Sequence, residues 1–207
     1  MAVFHTPMIT LSDGNLIPQI GLGVLRIDDE GVTPVVESAL EAAIAISTAP
    51  RATTTKRRGS CAEKYRFHAR ERRKSLWVTT KLRDSEQGYD SARKAFDRQL
   101  GLLQLDYVDM YMLHWPTPFD WRSGETWKAF DEFRAEGRVR TLGVCNFLPE
   151  HLERLHKETG EYPPSTRSNC IPRGSSAKWW RIARRIISRS RRIRRWRVAR
   201  ISMPAMV

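Results

Sequence analysis

The chain runs short of acid in two places. No Asp or Glu occurs between residues 165 and 207, a stretch holding thirteen Lys and Arg. No Asp occurs between residues 31 and 83, and residues 44–76 hold ten bases against two acids. The whole chain carries a net charge of +13, so the remaining residues, with thirteen bases and twenty-one acids, sum to −8. Spread evenly, such a surplus would point to nucleic acid or an anionic membrane surface. Confined to two blocks, it marks a mildly acidic protein interrupted once and ended once by basic sequence. Cysteine is also scarce. Cys61, Cys145 and Cys170 form no CxxC pair and are odd in number, which argues against a disulfide framework and for a reduced, cytoplasmic setting. No run of about 18 apolar residues exists to span a membrane. The opening "MAVFHTPMIT" lacks the basic region and apolar run of a secretory signal. Tyrosine is nearly missing from the first 88 residues, where only Tyr65 occurs.

Outside the basic blocks the patterning is strong. "MITLSDGNLIPQIG" predicts a β-hairpin turning at Asp13-Gly14. "IGLGV" (20–24) reads as a short buried strand. "DEGVTPVVESALEAA" (29–43) reads as a helix with Val35, Val36, Ala39, Leu40 and Ala43 on one face. From Ile44 to Ser75 neither period is sustained. Order resumes with strands at 76–82, 107–115 and 139–147, and with helices at 91–105, 125–137 and 148–160. Gly137 is the expected stop of the second of these helices, and Pro149 lies in the first turn of the third. Continuous apolar strands alternating with helices imply an α/β fold with a parallel sheet, either a barrel or a doubly wound sheet. Periodicity does not choose between the two.

Several segments resemble the aldo-keto reductase family. They are "DGNLIPQIGLGV", "VTTKL", "LDYVDMYMLHWP", "WKAFDEFRAEGRVRTLGVCNF" and "PEHLERL", in that family's order and approximate spacing. The likeness covers residues 1–43 and 76–164 and is nearest to the 2,5-diketo-gluconate reductase-like members. It implies a TIM-type (β/α)8 barrel opened by a β-hairpin, with the site at the C-terminal ends of the strands. It implies NADPH-dependent reduction of a small-molecule aldehyde or ketone. The family's catalytic group is Asp, Tyr, Lys and His, the Tyr protonating the carbonyl oxygen as hydride arrives.

By this resemblance Lys81 and His114 match the catalytic Lys and His. Asn146 matches the Asn that holds the nicotinamide carboxamide, and Cys145 stands where Ser is usual. Val24, Arg83 and Trp115 fall in the substrate pocket, Arg83 where a Trp is common. Taken singly, a Lys ending a strand is ordinarily solvated and a His between Leu and Trp is ordinarily core. Only their joint placement at successive strand ends favours a site. The catalytic Asp and Tyr have no counterpart: "AISTAPRATTTK" stands where the family reads like "HIDTAxxYxNE".

One cause accounts for both basic blocks. With suitable synonymous codons, "AISTAPRATTTK" read in a shifted frame becomes His-Ile-Asp-Ser-Ala, two further residues, then Tyr-Asp-Asn-Glu. The same shift turns "PSTRSNCIP" into "VNQIELHP", the family's next strand. Residues 44–75 and 165–207 are therefore expected to be out-of-frame translations. The expected product is an incomplete barrel over residues 1–164, with barrel strand two scrambled and strands six to eight missing, followed by an unselected or disordered tail. Carbonyl reduction and NADPH binding are then expected to be impaired or lost. Two rival readings stand. "WWRIARRIISRSRRIRRWRVARI" (179–201) could bind polyanions, nucleic acid or membrane surface, through its arginines and tryptophans. Alternatively the half-barrel could serve as a pseudoenzyme scaffold.

Overall fold

The computed structural model describes residues 7–23, 34, 35, 38, 45–47, 73, 77–103 and 105–167. Strands β1 (Met8–Thr10) and β2 (Leu16–Pro18) pair antiparallel as the hairpin, with Ile9 opposite Ile17. Its turn needs Gly14, whose φ of 87° is open to glycine and strained for other residues. The Asp13 carboxylate accepts from the Asn15 backbone N–H at 3.0 Å and stiffens the turn. The Asn15 side chain donates to the Thr141 hydroxyl at 2.9 Å, fastening the hairpin to the start of a sheet strand.

The remaining strands form one six-stranded parallel sheet: β3 (Gly21–Gly23), β4 (Ala45–Ser47), β5 (Val78–Leu82), β6 (Val108–Leu113), β7 (Val139–Cys145) and β8 (Ser165–Arg167). Helices α1 (Tyr89–Leu103), α2 (Ser123–Ala135) and α3 (Pro149–Thr159) connect the last four. Spatial order equals chain order throughout. A doubly wound sheet reverses its strand order at a switch point, and this sheet does not, so it is an arc of a barrel.

The two faces bury different residues. Toward the helices, Val78, Leu82, Tyr111, Leu113, Leu142 and Val144 pack on Phe96, Trp127, Phe130, Phe133, Leu152 and Leu155. Phe96 and Phe133 stack with ring centres 4.3 Å apart. The inner face holds a smaller cluster, in which Trp77, Met110, Met112 and Cys145 bury Ile17 of the hairpin. The hairpin thus covers the lower interior and leaves the upper strand ends for other work. At the opposite, N-terminal end of β6, the fully buried Asp109 carboxylate takes Arg73 at 2.7 Å, Arg140 at 3.1 Å and the Val78 N–H at 2.8 Å.

Two expectations are corrected. Barrel strand two, expected to be scrambled, still forms as Ala45–Ser47, with Ile46 paired to both Leu22 and Val78. Strand order also does not stop at 164, because Ser165–Arg167 pairs with Gly143–Cys145 as barrel strand six. Ladder bonds are made by main-chain groups, so a short stretch able to extend fills a strand position whatever its side chains. The helix expected at 29–43 lies mostly outside the described residues, as do Val24, Tyr65 and the stretch 179–201 with the polyanion reading it carries.

Candidate functional site

Because the strands are parallel, their C-terminal ends share one side of the sheet. Lys81 is the penultimate residue of β5 and pairs in register with Met112. His114 follows β6 directly, and its backbone N–H donates to the Leu82 carbonyl at 3.1 Å. Cys145 ends β7 opposite Arg167 of β8. Asn146 follows it in the left-handed region, with φ of 63°, and its N–H donates to the Arg167 carbonyl at 2.7 Å. That conformation turns the Asn146 side chain sideways, and its amide donates to the His114 carbonyl at 3.0 Å and reaches the Cys145 Sγ at 3.4 Å. Lys81, His114, Cys145 and Asn146 therefore lie at neighbouring strand ends on one side of the sheet, which forms a mouth.

The electrostatics of this mouth are cationic. Burial lowers the Lys81 ammonium below its usual range, Arg167 pushes it further down, and the Cys145 thiol opposes them. Burial raises the Cys145 thiol, against the pull of Lys81 and Arg167. Burial also lowers His114, with the Asp84 carboxylate, 3.8 Å from Nδ1, resisting and Lys81, Arg167 and Arg83 assisting. His114 is thus a neutral imidazole near pH 7.

The mouth has no tyrosine among the described residues. Tyr111 faces the helices, Tyr89 hydrogen-bonds Glu132 at the start of α1, Tyr107 lies under Arg73 and Arg140, and Tyr162 stacks on His156. Ser47 ends β4, and its register partner is Thr79 on the strand that carries Lys81. Trp115 and Arg83 are exposed at the rim. Two participants escaped the sequence reading. Arg167 sits inside a basic block dismissed as unselected, though the shifted reading of that block already marked a barrel strand there. Buried Gln87 donates to the Trp115 carbonyl at 2.7 Å and accepts from Thr117 and Ser123. It thereby holds the loop carrying Trp115, and only its loop position hinted at this.

A parallel sheet in chain order, with lysine, histidine and asparagine at successive strand ends, is an arc of a (β/α)-type barrel. Residues 21–170 match the family model described as "Aldo/keto reductase family", and the chain belongs to that family. It is 41% identical over 159 residues to an aldo-keto reductase of Mycolicibacterium smegmatis, covering 76% of this chain and 56% of the relative. It is 38% identical over 157 residues to the methylglyoxal reductase DkgA of Escherichia coli, covering 75% of this chain and 55% of that protein. The chain therefore spans little more than half the length of these curated relatives. The solved aldo/keto reductase of Brucella melitensis superposes with a TM-score of 0.74 at 37% identity, over 89% of this chain and 69% of that one. A mutant of Gox0644 solved in complex with NADPH superposes at 0.66 with 36% identity, over 77% and 56%. No helix among the described residues is long and apolar enough to cross a membrane.

Proposed function

We propose that this chain carries the scaffold of an NADPH-dependent carbonyl reductase whose catalytic group is incomplete. The observation that supports it best is the convergence of Lys81, His114 and Asn146 at three neighbouring strand ends, in a family of carbonyl reductases. The residues present fit the nicotinamide end of the cofactor. Asn146 offers a neutral amide with both donor and acceptor, the complement of a carboxamide, and its backbone turn holds it at the mouth. Cys145 beside it replaces a hydroxyl by a weaker hydrogen-bonding thiol. When bound, NADPH supplies the hydride.

The chain's own residues would then orient the carbonyl and manage charge on its oxygen. His114, neutral and half-buried, orients the carbonyl through an imidazole nitrogen. Lys81 and Arg167 bring positive charge to the place where negative charge develops on that oxygen. Among the described residues the mouth holds no tyrosine to protonate it. A positioned general acid contributes about 10²–10⁴ in rate, so turnover should fall short of Tyr-bearing relatives by about that factor. The test is NADPH oxidation by the purified chain with methylglyoxal or another small aldehyde. A rate lower by about 10²–10⁴ is expected, and a rate equal to the relatives' would contradict the reading.

The basic blocks are read as out-of-frame sequence. In support, the shifted reading puts its Asp at the C-terminal end of β4, beside the strand that carries Lys81, and its Gln at the end of β8. Both are strand ends at the mouth. The polyanion-binding and scaffold readings gain no specific support from the described residues.

A further inference from the structure

Lys81 is an unusual lysine for a strand end. Its side chain is partly buried on the inner face, and among the described residues no carboxylate forms an ion pair with it. The charged neighbours it senses are the Arg167 guanidinium and the Cys145 thiol. Its register neighbour Met112 leans away from it. The Met112 side chain lies over Gly143 on the next strand, so close that a Cβ there would meet Met112 Cε at 3.1 Å. The lysine is thus flanked by an apolar thioether turned aside, a buried thiol and a second cation, with a neutral imidazole nearby. A desolvated primary amine beside another cation, with no carboxylate paired to it among the described residues, is a nucleophile toward carbonyl carbon.

We propose that Lys81 forms an imine with aldehydes at the barrel mouth, a covalent activity that needs no cofactor. The neutral amine nitrogen adds to the carbonyl carbon, and the oxygen takes up a proton to give a carbinolamine. Loss of water then forms the C=N bond. Both hydrogens that leave with the oxygen come from the amine nitrogen, so the step balances without oxidant or reductant. His114, neutral near pH 7, can carry a proton between nitrogen and oxygen. Burial and Arg167 favour the step in the same way, by keeping a larger share of Lys81 unprotonated than an exposed lysine keeps.

The test is reductive trapping of the whole folded chain. The protein is incubated with propanal and borohydride at about pH 7, well below the usual lysine range near 10.4. Peptide mass mapping then gives the alkylated fraction of Lys81 beside that of Lys94, Lys128 and Lys157, all exposed on helices. Each unit of pKa lowering gives about tenfold more free amine. Lys81 should be alkylated faster than each of the three exposed lysines, with the preference vanishing in denaturant. Equal or slower alkylation of Lys81, or a preference that survives denaturation, would overturn the proposal. NADPH plays no part in the experiment, so its outcome is separate from that of the reduction assay.

Discussion

At the residue scale, the clearest energetic anchor is Asp109. Its carboxylate is fully buried and answers Arg73, itself only 11% exposed. Breaking a buried pair by removing one partner costs about 3–5 kcal/mol, so Asp109→Ala should lower the melting temperature severely in a thermal melt. Tyr111 behaves oppositely. Its buried hydroxyl makes no hydrogen bond of good geometry among the described residues, although the Gln99 side chain lies within reach of it, so Tyr111→Phe should change stability by no more than about 1 kcal/mol. A loss larger than that in denaturant unfolding would show that the hydroxyl is held after all. Histidine protonation sets an acid limit. His151 Nδ1 accepts the Leu148 N–H at 3.1 Å at the start of α3, and burial lowers its pKa as it does that of His114. The folded state then binds fewer protons than the unfolded state, whose histidines titrate near 6.5. Their contribution is therefore full above about pH 6.5 and is lost as pH falls through the lowered folded values. Melting temperature should drop between about pH 7 and pH 5. His151→Gln, whose oxygen can accept the same bond without titrating, should remove part of that drop.

At the element scale, helices α2 and α3 end on glycines in the left-handed region, Gly137 at φ 72° and Gly160 at φ 80°. Gly160→Ala should cost about 1 kcal/mol, read as a shift in the denaturation midpoint. The element pattern was largely legible. Continuous apolar strands and helices of period 3.6 are signals that tertiary context rarely overrides, and each of β5, β6 and β7 lies within its expected span. Asp13-Gly14 announced the hairpin because few other dipeptides turn so tightly. In the frame as translated, what stayed hidden was β4 and β8, the latter marked only by the shifted reading. Three-residue strands are too short to show a period, and both sit where the side chains read as noise while the backbone still pairs. Sheet order was also invisible, because spacing along a chain carries no information about which strand neighbours which. The candidate site was proposed at Lys81, His114 and Asn146 through motif alone. Arg167 and Gln87 act through placement that no motif carried.

At the scale of the whole molecule, charge and catalysis tell one story. The acidic, well-patterned part of the chain supplies four of the six sheet strands, β3, β5, β6 and β7, and the two blocks rich in arginine supply β4 and β8. Sheet edges left open expose ladder groups and apolar faces, and net stability is small even for intact domains. The central claim is that the missing Asp and Tyr lie in the coding DNA one frame away. The most direct measurement is to sequence the gene through the codons for residues 44–75 and 165–207. The account predicts that the shifted frame reads His-Ile-Asp with a Tyr five residues beyond the Asp, and Val-Asn-Gln-Ile-Glu-Leu-His-Pro in the second block. Codons that permit neither reading would contradict it and leave the basic blocks as protein in their own right.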